Sequence, residues 1–271
     1  MFLSALRQPV DTFAPSVGRL YRRMRDFVVA RQSKQTIYGF KLAGDRRMAN
    51  SDFEPDEVKA FLELIESHDV VLDIGANVGF YSCLAASRGK HVVSFEPSLR
   101  NLNFLYRNLW ENKLSSVEIF PVGLAKQFGL SRIYGFGGIS SFVMGWGQAE
   151  TSKYSLVPLT TLDAIVAKRF QGNRLLIKVD VEGFELDVLA GATETLNLEP
   201  RPTWTVEILL RDGVIPGGIN TRFHETFEVF WKRGYQCRKL DKTRSRVQNA
   251  DVEDWVSCGT ADCKNFLFSS T

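Results

Sequence analysis

The sequence predicts an α/β domain built on a mainly parallel sheet with helices on both faces. Three observations carry that expectation. Short apolar runs recur along the chain with helix-length amphipathic segments between them, the pattern of strand–helix–strand crossovers. Glycines and acids stand just beyond several of those runs, where parallel sheets bind their ligands. The 271 residues, 44% hydrophobic and 24% charged, have the make-up of a globular chain long enough to bury a full core without disulfide or metal staples.

Taken in order, Glu54-Pro55-Asp56-Glu57 opens a helix that runs to about residue 67. Proline suits the first helical turn, and the carboxylates suit its positive end. Phe61, Leu62 and Ile65 form its apolar stripe. Strands are expected at 70–72, 91–95, 117–122, 175–179, 203–208 and 264–268, with helices over 80–88, 101–110, 184–196 and 226–232. An insertion over 124–160 contains Tyr134-Gly135-Phe136-Gly137-Gly138-Ile139-Ser140-Ser141-Phe142 and Met144-Gly145-Trp146-Gly147. It reads equally as a mobile loop that closes over a ligand and as a plain hairpin with packing aromatics, followed by a strand at 154–159. In the first case Ser140 and Ser141 are candidates for binding the acceptor.

Charge divides the chain. Residues 1–35 hold seven basic and two acidic groups, a net +5, which leaves −2 for the other 236 residues. The body is therefore no bulk nucleic-acid-binding surface, and no nucleic-acid partner is expected. Residues 1–50 read as a basic N-terminal appendage, an amphipathic helix or arm, and residues 51–271 as the main domain. Residues 1–35 are a candidate for weak contact with a membrane surface. No apolar run reaches the ~18 residues of a spanning helix, and no signal-peptide pattern opens the chain. Four scattered cysteines are too few for a disulfide framework. Cys237, Cys258 and Cys263, with His224, make at best a weak zinc pattern, because structural zinc sites use clear ligand pairs. Reduced thiols and a cytoplasmic protein, peripheral to a membrane at most, are the expectation.

The chemistry concentrates at the strand ends. The first strand runs into Asp73-Ile74-Gly75-Ala76-Asn77-Val78-Gly79, a tight turn that opens a helix. The spacing is G-x-x-x-G, not the G-x-G-x-x-G of dinucleotide sites, and an acid precedes the turn. An anion there repels a pyrophosphate and attracts an ammonium group, such as the methionine part of S-adenosylmethionine. The second strand ends in Glu96-Pro97, and one carboxylate can accept both hydroxyl hydrogens of a ribose. The fourth ends in Lys178-Val179-Asp180-Val181-Glu182-Gly183-Phe184-Glu185, more acid than a single helix cap requires. The fifth ends in Glu207, which stands beside Asp180 if the strands are neighbours. That pair either shares a proton, raising one carboxyl into the range of a general base, or grips a divalent metal. His224 is a second candidate base or acceptor contact, or simply a helix-start residue. His68 and His91, at the amino ends of strands, read as structural.

With these tracts in place, the sequence resembles the FkbM-type S-adenosylmethionine-dependent methyltransferases. The resemblance rests on Val71 through Ser82, Ser94-Phe95-Glu96-Pro97-Ser98, Leu162-Asp163, Ile177 through Glu185, Val188-Leu189-Ala190-Gly191-Ala192, Val206-Glu207 and the closing Asn265-Phe266-Leu267-Phe268. It covers about residues 36–268. It implies the class I methyltransferase, Rossmann-like fold, with a seven-stranded, mainly parallel sheet whose last strand is antiparallel and inserted between two others. It also implies S-adenosyl-L-methionine as cofactor, held by Asp73, Gly75, Ala76, Asn77, Gly79, Glu96, Pro97 and Asp180, with Val122 and Gly123 near the adenine. Asn77 stands where many other methyltransferases have a middle glycine, as is usual in this family.

The expected activity is therefore O-methylation of a hydroxyl on a sugar, glycan or polyketide-type natural product. Asp180, Glu182 and Glu207 are the candidates for orienting the acceptor or removing its proton. No metal ligand is assigned, although a divalent ion is compatible with the acids. N-methylation of an amine or protein side chain, and a nucleoside-binding protein without transfer activity, are the alternatives. A nucleic-acid methyltransferase is disfavoured, because Asp180-Val181-Glu182-Gly183 lacks the adjacent prolines and aromatic of the flipped-base enzymes.

Overall fold

The computed structural model describes residues 32–135, 138, 140–146, 151–211 and 218–270. Its centre is an eight-stranded sheet. Five parallel strands form one half: β5 (Glu118–Phe120), β4 (His91–Phe95), β3 (Val70–Ile74), β9 (Leu175–Val179) and β10 (Thr203–Glu207), in that spatial order. Next to β10 lies β13 (Asn265–Ser269), antiparallel and inserted before β11 (Gln236–Lys239). The inserted antiparallel strand is the class I methyltransferase arrangement implied by the resemblance. The count of seven strands is corrected to eight. After β11 the chain turns back over Asp241–Arg244, where the Asp241 carboxylate accepts the Thr243 and Arg244 amides, and adds the two-residue β12 (Arg246–Val247) at the edge.

The strands alternate cleanly between faces, as a covered parallel sheet requires. Val70, Leu72, Ile74, Leu175, Ile177, Val179, Trp204 and Val206 point to one side, where Phe223, Phe227 and Phe230 of α6 (Phe223–Trp231) fill the core. Val71 and Leu176 point to the other, against Phe61 and Ile65 of α1 (Pro55–Glu66) and Phe80 and Leu84 of α2 (Phe80–Ala86). Each such side chain contributes about 1.5–3 kcal/mol on burial. On this second face the apolar rows stop one row short of the carboxyl ends. There Asp73 stands level with Lys178, which stands level with Thr205.

Two expected elements differ in extent. The third strand ends at Phe120, because Pro121 has no amide to continue the ladder. Gly123–Leu124 (β6) instead joins a small second sheet with β8 (Tyr154–Thr160) and β7 (Gly129–Tyr134). The helix expected over 184–196 is α5 (Glu185–Ala190), capped by Gly191, with a 3₁₀ turn at Thr195–Asn197. The insertion thus contains a hairpin of β7 and β8, and Ser141 and Trp146 between them bond Glu182 beyond β9. Phe136, Gly137, Ile139 and residues 147–150 lie outside the described residues.

Residues 32–50 are not a separable appendage. Phe40 and Leu42 are buried against α2, and Asn108 of α3 (Leu99–Glu111) holds Ala43 from both sides. Its Oδ1 accepts the Ala43 amide at 2.8 Å, and its Nδ2 donates to the Ala43 and Val78 carbonyls at 2.9 and 2.8 Å. Phe40, Leu42 and Ala43 thus pack with the domain expected to begin at residue 51. The expected membrane-contact segment falls almost wholly in residues 1–31, outside the described residues. No helix among the described residues is long and apolar enough to cross a membrane.

Candidate functional site

A cavity of about 650 Å³ opens beyond the carboxyl ends of β3, β4, β9 and β10. Its size suits a small-molecule site. Its lining includes Asp73, Gly75, Ala76, Asn77, Glu96, Pro97, Val122, Gly123, Ser140, Asp180, Glu182 and Glu207. One cavity therefore gathers all but three of the expected site residues.

The first wall is the turn after β3. Gly75 has φ +83°, and a Cβ placed on it would lie 1.8 Å from the Asp180 carbonyl oxygen, so only glycine lets the turn sit against the end of β9. Asn77 also takes a left-handed conformation, φ +53°, and its amide donates to Glu96 Oε2 at 2.8 Å. Glu96 Oε1 accepts the Ser98 amide at 2.7 Å. Burial pushes the Glu96 carboxyl up to about 7 in spite of these donors. Gly79 does not line the cavity; it starts α2, and a Cβ there would meet Leu105 Cδ1 at 2.4 Å. Asp73 is fully buried beneath the turn, its Oδ2 accepting Ser82 Oγ at 2.5 Å. Burial raises its carboxyl, with the Lys178 charge opposing. Phe95, Val122, Gly123, Leu124 and Phe142 line an apolar side of the cavity.

The second wall is ionic. Carboxyl oxygens of Asp180, Glu182 and Glu207 lie within 4.8 Å of one another, the sole such metal-capable grouping among the described residues. Asp180 and Glu207 hydrogen-bond to each other. Burial works to raise Asp180, but the Lys178 ammonium, at 3.0 Å, and the Glu207 hydrogen bond outweigh it and hold Asp180 below the ordinary carboxylate range. Burial and then the Asp180 charge push Glu207 well above that range. These influences favour the shared proton on Glu207 and the negative charge on Asp180. Lys264 Nζ donates to Glu207 Oε1 at 2.5 Å. Burial, helped by the Asp180 charge, takes Glu182 up to about 7, with the Trp146 indole N–H opposing at 2.8 Å. Lys178 pairs with Asp180 and Lys264 with Glu207, so two of the three acids already have a cationic partner.

Ser140 lines the cavity, whereas Ser141 is a structural residue. Its hydroxyl donates to the Glu182 carbonyl at 2.6 Å and accepts the Val143 amide at 2.9 Å, tying the hairpin loop to the end of β9. Trp146 packs where a Cβ on Gly183 would sit, 2.1 Å from the ring. His224 is corrected as a site residue. It begins α6, bonds Asn249 Oδ1 at 2.8 Å, and is absent from the cavity lining. Its helix packs on α5 and α7 (Asn249–Cys258), away from the strand ends. The weak zinc pattern does not assemble either. Cys237 is buried, and Cys258 and Cys263 bond to nearby backbone.

The model of the methyltransferase FkbM domain matches residues 73–237, three-fifths of the chain. The chain belongs to the FkbM methyltransferase family. A hexuronic acid methyltransferase, AglP, of Haloferax volcanii is 30% identical over 153 residues, 53% of this chain and 58% of that protein, so the match spans a little over half of the relative's length. Among solved structures, an FkbM methyltransferase from Methylobacillus flagellatus KT is similar at 17% identity and TM-score 0.43, over 74% of this chain and 44% of that one. A SAM-dependent methyltransferase from Aquifex aeolicus is similar at 11% identity and TM-score 0.41, over 80% and 93%.

In this FkbM methyltransferase the matched segment does not hold the whole cavity. Glu54 and Phe53 line it from the segment before α1, and Lys264 from the turn before β13. Glu54 has φ +41° and accepts the Tyr81 hydroxyl at 2.9 Å. Sequence reasoning missed Glu54, Tyr81, Lys178 and Lys264. Lys178 lay inside an apolar strand, the one signal that a charge was being buried on purpose. The others have no pattern of their own.

Proposed function

We propose that this protein is an S-adenosylmethionine-dependent O-methyltransferase whose acceptor is a hydroxyl of a sugar or glycan. The observation that carries the proposal is the Asp180–Glu207 pair, set in one cavity with the glycine turn and Glu96. The residues fit such a cofactor. Gly75 lets the turn close on the end of β9, Glu96 keeps acceptor capacity beyond its Asn77, Ser98 and Asn101 donors for a ribose hydroxyl, and Val122, Gly123 and Phe142 offer an apolar slot for a base. The anionic surroundings of Asp73 suit a cationic donor. When bound, S-adenosylmethionine supplies the activated methyl group.

The chain's own residues then align the acceptor and take its proton. Ionised Asp180 stands ready to accept a hydroxyl proton, while Glu207, protonated, and Lys178 fix its orientation. The hydroxyl is favoured over a carboxylate acceptor because a carboxylate arrives ionised and needs no base, whereas the Asp180–Glu207 pair offers one. The similarity to a hexuronic acid methyltransferase supports a sugar-bearing acceptor.

The test is calorimetric titration with S-adenosylhomocysteine and, separately, NAD, followed by transfer of a labelled methyl group to neutral and uronate-bearing oligosaccharides. Binding of the first ligand alone, with label retained as an ether through mild base, is expected. Label lost in base marks a methyl ester and overturns the hydroxyl assignment. A folded protein that binds neither ligand sinks the methyltransferase proposal, and binding without transfer to any acceptor leaves a nucleoside-binding protein.

A further inference from the structure

Lys178 is the most unusual residue of the sheet. Its side chain is 4% exposed, and it rises from an otherwise apolar strand. Its ammonium lies 3.0 Å from Asp180 Oδ2, 3.5 Å from Glu57 Oε1 and 4.5 Å from the centre of the Tyr81 ring. Glu57, also buried, comes from the first turn of α1, where Pro55 and the strained Glu54 fix the helix start. An unpaired ammonium cannot be buried cheaply, and a buried lysine with two carboxylates is destabilising to replace. The arrangement is more elaborate than packing needs, since Leu176 fills the row below without any charge.

We propose that Lys178, held on its other side by Glu57 from outside the FkbM-matched segment, is a positioning residue that singles out Asp180 as the proton acceptor of the Asp180–Glu207 pair. This inference rests on the proposed hydroxyl methylation for its use, but the charge state it describes is a property of the free protein. The groups facing Asp180 are Lys178 on its own strand, Glu182 in the loop beyond, Glu185 on α5, Glu207 on β10, Lys264 before β13, Asp73 on β3, Tyr81 on α2 and Glu57 on α1. Of the two cations, Lys264 bonds Glu207, and Lys178 alone is hydrogen-bonded to Asp180. Methyl transfer would form the acceptor O–C bond and break the donor's sulfonium C–S bond, whose electron pair stays on sulfur as a neutral thioether; the acceptor proton would pass to the Asp180 carboxylate, and Lys178 would stay charged throughout. The ammonium therefore stabilises the state that waits for the proton. It takes no proton itself, because burial, which would lower it, is outweighed by Asp180 and Glu57.

The experiment is a carboxyl ¹³C NMR titration of the full chain labelled at Asp and Glu, without donor or acceptor. Asp180 and Glu207 are assigned from D180N and E207Q. In the wild type Asp180 is expected to titrate below Glu207. In K178M the Asp180 midpoint is expected to rise by about one to three units, the range for loss of an adjacent opposite charge, while K178R restores it. The acid limb of kcat/KM should move to higher pH with it, and affinity for S-adenosylhomocysteine should not change. An unmoved Asp180 midpoint in K178M, or a wild type in which Glu207 titrates first, overturns the proposal. If K178M does not fold, the wild-type titration and K178R still decide it. Absence of methyl transfer in the wild type would instead sink the functional proposal and leave the titration to stand.

Discussion

The two walls of the cavity are built on different principles. The wall after β3 and β4 is made of backbone: a glycine turn pressed on the Asp180 carbonyl, and a glutamate whose two oxygens are held by the Asn77 and Ser98 amides. The wall after β9 and β10 is made of side-chain charge: three carboxyls, two lysines and an indole. The first is local, formed by residues within some 25 positions of one another. The second draws on α1, β9, the loop beyond it, β10 and the turn before β13. A backbone site is set once the turn folds, and the fold-wide constraint on it is only steric. A charge site depends on every element that brings a partner, so it is the part a family can retune while keeping the donor wall.

The sharpest way to break this contrast is to remove the function of one wall without touching the other. Asp180→Asn should lower kcat by about 10²–10⁴-fold, the usual contribution of a positioned base, with S-adenosylhomocysteine affinity unchanged in calorimetry. Comparable loss of cofactor affinity would mean that the walls do not divide the work. Glu96→Ala should do the reverse. Loss of a charged hydrogen-bond acceptor worth about 1.5–3 kcal/mol weakens S-adenosylhomocysteine binding by about 10–100-fold, and kcat at saturating donor changes little.

Both walls also leave a mark on stability. Glu57, Glu96, Glu182 and Glu185 are each pushed up to about 7 by burial. Below the ordinary carboxylate range they are protonated in both folded and unfolded chains and add nothing. Between about 4.5 and 7 the unfolded chain is ionised while the folded one holds its protons, so stability falls as pH rises through that window. Half-buried His68, lowered by burial, opposes this below its ordinary value. Glu207 and Asp73 are raised as well, so the acids outnumber the one histidine; a lower Tm at pH 7.5 than at pH 5.5 is the expected result of thermal denaturation, and Glu57→Gln should narrow the gap. A Tm that rises over that interval would show the acids ionised in the fold. The smallest effect is expected at His224→Ala. The residue faces Asn249, so transfer rate and cofactor affinity should stay at wild-type values, and stability should change by no more than about 0.5 kcal/mol.

The donor wall and the strand order near it are legible in the sequence because their rules are local. Asp73 through Gly79 and Glu96 each follow an apolar run directly, and the glycine spacing carries its own steric meaning. The Asp180–Glu207 pairing is legible once β9 and β10 are taken as neighbours, which their parallel register bears out. The other partners are not. Glu54 and Glu57 read as ordinary acids at a helix start, and Lys264 as a surface residue before a strand. Their place in the cavity follows from how α1 packs across β9 and how β13 inserts beside β10, contacts about 60 to 120 positions apart along the chain. Ser141 and His224 fail for the opposite reason. Their residue types suggest chemistry, while local bonding to Glu182 and Asn249 uses the groups up.

The contact between Gly75 and the Asp180 carbonyl joins the two walls along a single seam with no room for an intervening atom. A ligand that presses on the turn after β3 must displace the chain at the head of Asp180, and an acceptor that shifts Asp180 must disturb the turn. Donor and acceptor affinities are then linked through one free energy, equal in both directions, so saturation with either product should be felt as inhibition or enhancement at the other's half of the cavity. A methyl group at residue 75 would be the wedge that separates them.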